Sequence, residues 1–508
     1  MGARYQYQLV WAALLVGLFT WIIISEIGRY TVVSGNTVLH GYEQLPGPGK
    51  WPVWLMFGAQ ILDLGATVAG HAALSAVVLL LALPGSEPTY AIALIVLAAV
   101  IVIGSALQKV SRASAVLAFV LLTAALFTVS QVFPGFGTVA SGFVPGRPQN
   151  ANLYFVLPWV GFLLIHGAPW FSYWSGRQGF GGELRYPLDE RAVGEAENSD
   201  SRPNEGGDSQ ESGQREDRLH SWWRLMVRDA GIGNGIGLLM ALSFVTLGAE
   251  ILGGGAVPSG PAVGRQLASG LRSWLGPLGF WLFVLTAGGS FWTHVLDVSD
   301  GATRLLADGT LILLPDRFVQ DANHTAPGSE PSTEQSANDA ERAAPAAEWG
   351  RSAGVTGDAG EEDDVGKAGD AGKAGDVGKA GDAGRAGNVE TAADGDGAQV
   401  AGGTSSPREW LLQRHHLVSA YVVVFATVVP IGLILLVRNP MQILAFAGIV
   451  SAAQAPFYAA FTLWANRRLL PREYRPGPVW SAGLALGALF FGTATTLYFL
   501  GLLGFKLF

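Results

Sequence analysis

The sequence predicts an all-α polytopic membrane protein of about ten transmembrane helices, and three observations carry that reading. Half of the 508 residues are hydrophobic and only 14% are charged, with a mean hydropathy of +0.33. The apolar residues fall in runs of about 20, the length of helix that crosses hydrocarbon. Two long polar segments separate groups of these runs and contain no such run themselves.

Taken in order, spans are expected with centres near Leu15, Ala69, Leu97, Leu121, Leu163, Met240, Leu285, Thr427, Ser451 and Phe491. The stretch from Trp51 to Leu83 is long enough for a span with an interfacial lead-in. Spans one to five then occupy 1–175, a polar cytosolic insertion 176–218, and spans six and seven with their flanks 219–313. An acidic low-complexity cytosolic insertion occupies 314–408, and spans eight to ten occupy 409–508. Both insertions are rich in Gly, Asp, Glu and Ser, so neither buries enough apolar surface to offset ordering entropy and both are expected to be disordered. Within the second, VGKAGDAGKAGDVGKAGDAGRAGN repeats a unit of alternating charge from Val365 to Asn388. Glycine at every third place without proline reads as a spacer rather than a collagen-like helix.

The N-terminus lacks the succession of basic region, short apolar core and small-residue cleavage site that marks a removed signal peptide, so the first span is expected to stay in the cell membrane. There is no cysteine, which excludes disulfides, thiolate metal sites, iron–sulfur clusters and cysteine nucleophiles. The net charge of −8 lies mainly in the polar segments and describes those segments and their solvent more than any partner; the lipid bilayer is an expected partner and nucleic acid is not. Lys109 and Arg112, Arg177 and Arg185, Arg304, and Arg467, Arg468, Arg472 and Arg475 fall on alternate loops, which assigns those loops to the cytoplasm. The opposite loops hold scattered cations such as Arg147, Arg265, Arg272 and Arg438. Ten spans would put both chain ends outside, whereas one more span upstream would return the N-terminus to the cytoplasm.

Ionisable residues inside spans are costly and mark pathways or partners. Asp63, in LDLGA, is the foremost, either marking a pathway or capping the start of its span near water. His71 follows it by about two turns on the same face, placed either to relay a proton or to pack neutral. In LLIHGAPWFSYWS, 163–175, Pro169 lacks the N–H that closes a helical ladder and Gly167 loosens the turn. That segment is either a helix broken around a ligand, with freed carbonyls facing it, or a kink closed by neighbouring Ser or Thr. His166 lines the same path or bonds a backbone carbonyl. His294, Asp297 and Asp300, at three-residue spacing in THVLDVSDGATR, either collect cations at a cytosolic vestibule or form a solvated helix end paired to Arg304. Glu26 and Arg29 are expected to pair or cap at the end of the first span, and Glu250 to be wetted.

Three stretches resemble one family. GARYQYQLVWAALLVGLFTWIIISEIGRYTVVSGNTVLHGY, from Gly2 to Tyr42, resembles the second span and following amphipathic segment of the Nramp (natural resistance-associated macrophage protein) metal-ion transporters. LDLGATVAGHAAL, from Leu62 to Leu74, is similar to the family's third span, and QAPFYAAFTLWANRRLL, from Gln454 to Leu470, to its tenth. The two insertions have no counterpart. The resemblance implies a LeuT-type bundle, an inverted repeat of five plus five helices with its site at discontinuous helices near the midplane, here missing the first helix. The family's first helix carries an Asp-Pro-Gly-Asn break, and no such string occurs in this chain. HGAPWFSYW falls where the sixth family helix breaks at Met-Pro-His, which puts Ala168 at the methionine and Trp170 at the histidine. Loss of the thioether tilts a site at His166, Gly167, Ala168 and Pro169 towards harder ions such as Mg²⁺ or Mn²⁺. LDLGA stands where the family has Thr-Asp-Leu-Ala-Glu, with Ala66 for the glutamate, and Gln454 is the candidate side-chain ligand on the tenth family helix.

The resemblance therefore implies a secondary transporter of divalent cations, with or without proton coupling, with the metal as cargo and no permanently bound cofactor. The alternative is a non-transporting scaffold or sensor derived from such a transporter. No G-x-x-x-x-G-K-[ST] loop appears, so a transporter would draw on an ion gradient. No H-E-x-x-H or G-x-S-x-G motif supports an enzyme.

Overall fold

In a computed structural model, the described residues are 2–104, 107–146, 167–177, 210–253, 261–314, 407–437 and 439–503. Every regular element among them is a helix, as the hydropathy pattern requires. They belong to one compact unit, Met1–Asp321 with Ser405–Phe508; a second unit, Ala322–Thr404, lies outside the described residues.

The first long helix, α1, is Val10–Ser34, and it ends at Gly35, whose left-handed conformation (φ 68°) turns its N–H back to the Thr31 carbonyl. A short helix, α2, follows at Val38–Glu43. Helix α3, Trp51–Leu79, opens with Pro52, where a missing N–H costs nothing. Ser86 caps α4, Glu87–Ile103, by accepting from the Thr89 N–H. Then come α5, Leu107–Val132, and α6, Ala168–Arg177. Helix α7 is Gln210–Leu252, and α8 is Pro261–Leu313, bent at Gly276 (φ 61°) just before Pro277. Helix α9, Pro407–Val423, passes through a π turn, Val424–Val428, into α10, Val429–Val437. The last two are α11, Pro440–Arg468, and α12, Pro478–Leu502.

Seven of the described helices are long and apolar enough to cross a membrane, against the roughly ten spans expected. The difference has identifiable sources. Leu97 lies in α4, which has 17 residues, and α5, which holds Leu121, is a helix of 26 residues whose side chains are described continuously from Leu122 onward. Leu163 lies outside the described residues, as do 178–209 and 315–406 of the two insertions. Two segments expected without regular structure are helical. Residues 210–218 begin α7, where Gln, Glu and Arg are good helix formers. Residues 261–275, placed in an outer loop by the charge pattern, fold back so that Ala268 and Leu271 pack on Val78, Phe283, Val284 and Ala287.

Helix α3 is the axis of the bundle. Its most apolar window is 83% buried, whereas that of α12 is 22% buried and is left for lipid. It packs against α8, α11, α4 and α10. At α10 the approach is close enough that a Cβ on Gly65 would meet Val429 Cγ1 at 2.9 Å.

Proline inside a helix frees the carbonyl four residues before it, and in hydrocarbon that carbonyl needs another donor. In α11 Pro456 frees Ala452, and Thr495 Oγ1 of α12 donates to that carbonyl at 3.3 Å.

Candidate functional site

Gln60, Asp63, Thr67 and His71 follow one face of α3 at helical spacing, and all four are buried. Asp63 lies roughly three turns inside a helix that starts at Trp51, so it does not cap the helix end. Its Oδ1 accepts from Thr67 Oγ1 at 3.0 Å and from Ser451 Oγ of α11 at 2.7 Å. Its Oδ2 is buried and accepts no hydrogen bond. A carboxylate with one satisfied and one vacant oxygen in an apolar bundle is a site for a proton or a cation.

One turn before Asp63, Gln60 joins three helices. Its Nε2 donates to Gln454 Oε1 and to Tyr458 Oη of α11, both at 2.9 Å. Its Oε1 accepts from Trp170 Nε1 of α6 at 2.9 Å. Gln454 Oε1 also accepts from Tyr458 Oη, and Gln454 Nε2 donates to the Val450 carbonyl at 3.3 Å. The candidate ligand oxygen of Gln454 is thus held by its neighbours. A cavity abuts Gln60 from the other side, lined by Leu39, Val53, Met56, Phe57, Leu305, Leu306 and Gly309.

At the expected break, Gly167 forms a turn and the helix starts at Ala168, with Pro169 in the second position, where proline is tolerated. The Gly167 carbonyl accepts from the backbone N–H groups of Trp170 (3.1 Å) and Phe171 (3.3 Å), so it is engaged within the helix and not free for a ligand. His166 lies outside the described residues. Ala168 and Trp170 are buried, and the indole lies against Gly301 of α8. Ser172 Oγ accepts from the Val38 N–H at 2.8 Å and shares a hydrogen with Thr31 Oγ1, which fixes α6 to α1 and α2.

His71 Nδ1 donates to the Thr67 carbonyl at 2.9 Å, and its ring centroid lies 4.2 Å from that of His294. Asp63, Thr67, His71 and His294 therefore form a continuous polar line across α3 and α8. The three residues expected at a vestibule occupy different settings: His294 meets His71, Asp297 is half-buried, and Asp300 is buried and paired to Arg304 at 2.6 Å. Asp300 does not sit at a solvated helix end, because α8 continues to Leu313. Among the described residues no group of three or more His, Asp or Glu gathers to hold a metal ion.

Two buried ion pairs complete the polar interior. Arg414 meets Asp308 at 2.6 Å, and the guanidinium groups of Arg414 and Arg304 both approach the Tyr173 ring of α6. Glu26 and Arg29 pair at 2.8 Å as expected, joined by Asn466 Nδ2 and by the Trp223 ring. Glu250 is exposed, as expected, and accepts from Tyr7 Oη. Sequence reasoning passed over Gln60, Thr67, Ser451, Tyr458, Asp308 and Arg414. The available signal was spacing, since Gln60 is one turn from Asp63 and Tyr458 one turn from Gln454.

These features define a polytopic helical bundle with a short helix opening at a glycine–proline break and a buried polar seam beside it. The chain belongs to the Nramp, natural resistance-associated macrophage protein-like, family, whose model matches residues 1–291. Its fold resembles that of a histidine-to-alanine variant of the Eremococcus coleocola manganese transporter. That likeness has a TM-score of 0.57 and 12% identity, and covers 99% of this chain and 83% of that one. The same transporter in complex with an aromatic bis-isothiourea substituted compound gives a TM-score of 0.56 at 12% identity, with the same coverage. At this identity the likeness is one of fold, the all-α LeuT-type bundle expected from the sequence. No curated protein matches the chain.

Proposed function

We propose that this chain is a secondary transporter that moves a divalent metal cation across the cell membrane. The observation that carries the reading is Asp63: a buried carboxylate on the central helix, with one oxygen held by two hydroxyls and the other vacant. Family membership and the structural likeness to a manganese transporter support the same reading.

Oxygen donors dominate around Asp63, namely Thr67, Ser451 and, once it is released from Gln60, Gln454. Such a set suits hard cations that keep part of their water, Mg²⁺ or Mn²⁺, and Ala168 brings no thioether. The break at Gly167, Ala168 and Pro169 is where α6 would tilt during alternating access. Asp63, His71 and His294 are the groups on which protons accompanying the cation would rest, with the His71 Nδ1–H held on the Thr67 backbone carbonyl. The cation is cargo, and no permanently bound cofactor enters the reading.

The test is uptake of Mn²⁺ and Mg²⁺ into proteoliposomes holding the full chain, with and without an inward proton gradient. Asp63→Asn keeps the acceptor oxygen for Thr67 and Ser451 and removes the charge. Uptake that falls at least about tenfold in that variant supports the reading. No uptake of either ion by the unaltered chain would overturn it and favour a scaffold or sensor.

A further inference from the structure

We propose that Gln60 is a positioning residue, the latch that decides whether the cavity at Met56 and Leu306 communicates with Asp63. The inference rests on the transport reading and adds to it the residue that closes the path.

The amide's orientation is chemically fixed. An indole N–H is a donor only, so the group facing Trp170 has to be Oε1. Both hydrogens on Nε2 are then spent on Gln454 Oε1 and Tyr458 Oη. Gln60 thus ties α6 and α11 to α3 through one planar group, and it does so between two separate spaces. On one side lies the cavity with its mostly apolar wall, and one helical turn away on the other lies the vacant oxygen of Asp63. While Trp170 is bonded, its buried indole fills the gap against Gly301 and the cavity ends at Gln60. When that bond opens, α6 leaves α3 and the cavity reaches Asp63, while Gln454 Oε1 stays held by Gln60 Nε2 and Tyr458 Oη. A glutamine that merely satisfied its neighbours would stabilise the bundle without controlling access, and the two roles are separable by experiment.

The chain has no cysteine, so a single introduced thiol reports without background. Ser451→Cys places a thiol where Ser451 touches Asp63, and Ser75→Cys places one at a buried position bonded to Gly288 of α8, away from the latch. Conversion of each thiol to a mixed disulfide by a charged methanethiosulfonate, with methanesulfinate leaving, is timed in the full-length purified protein, alone and combined with Gln60→Met or Trp170→Phe. The expected result is a rate at Ser451→Cys raised about tenfold by Trp170→Phe, the population shift that loss of one buried hydrogen bond produces, and at least as much by Gln60→Met, which removes three, with Ser75→Cys unchanged. An unchanged rate at Ser451→Cys in folded variants overturns the latch. An equal rise at Ser75→Cys overturns it too, since it marks general loosening. Trp170→Phe keeps a ring and loses only the donor and its bulk; if neither variant folds, the network is structural and the proposal fails. No metal is present in this assay. A chain that carries no cation still reports the latch, and cation uptake with an unresponsive Ser451→Cys would sink the latch alone.

Discussion

Arg414 Nε donates to Asp308 Oδ1 at 2.6 Å across 106 residues of sequence, and both side chains are buried. The pair joins α8 to α9 on either side of the long acidic segment and lies beside Tyr173 of α6. Desolvating two charges offsets most of their attraction, so the pair adds little net stability while its disruption strands a charge. Asp308→Ala is expected to lower stability by about 3–5 kcal/mol in thermal melts of the detergent-solubilised protein. Asp308→Leu combined with Arg414→Met should recover most of that loss. A double variant as unstable as Asp308→Ala would refute the account.

The Thr495 hydroxyl compensates for Pro456 by donating to the carbonyl of Ala452. Thr495→Val keeps the shape and orphans that carbonyl, at an expected cost of about 1–3 kcal/mol. Pro456→Ala returns a backbone N–H to the ladder, so Thr495→Val should cost far less in that background. A double-mutant cycle on melting curves with no coupling between the two sites would contradict this.

Gly301 has no room for a side chain, because a Cβ there would stand 2.9 Å from Cγ and Cδ2 of Trp170. Gly301→Ala is expected to destabilise the bundle by about 1–3 kcal/mol through overpacking. Trp170→Leu in the same chain should return part of that loss. Melting temperature measures both, and an unchanged value for Gly301→Ala would show that the indole moves freely.

His40 lies in α2, outside the spanning helices, with Nδ1 3.1 Å from Thr37 Oγ1. Burial holds its imidazole below the ordinary value, against the pull of the Asp308 and Glu43 carboxylates. As pH falls, the unfolded chain therefore takes up this proton before the folded one, and stability is lost below about pH 6.5 and kept above it. His40→Gln should flatten the fall in melting temperature between pH 7 and pH 5, roughly the window His titration covers. An equally steep fall in the variant would assign the acid sensitivity to other groups.

The spans were legible because hydrocarbon demands continuous apolar length, and α1, α3, α11 and α12 fall where that demand is met. Asp63 was legible because a carboxylate in such a run is costly enough to need a reason. Gln60 was not. Its amide weighs lightly in hydropathy, and its partners Gln454 and Tyr458 lie 394 and 398 residues away. The same distance hid Ser451 from Asp63 and Arg414 from Asp308. Pro169 suggested freed carbonyls, yet it stands at the second residue of α6, where proline is tolerated, while the carbonyl freed by Pro456 lies in a helix that reads as unbroken. The fold-back over 261–275 escaped because Arg265 and Arg272 read as loop cations, while Ala268 and Leu271 bury the opposite face.

Ser172 places a single hydroxyl between the Val38 N–H and the Thr31 hydroxyl. The short helix inside the bundle and the short helix at its border are therefore parts of one lever, with the fulcrum at the end of α1. A spin label or a fluorophore at Glu43, at the far end of that hydrogen-bonded connection, is therefore placed to test for movement of α6 without touching the interior.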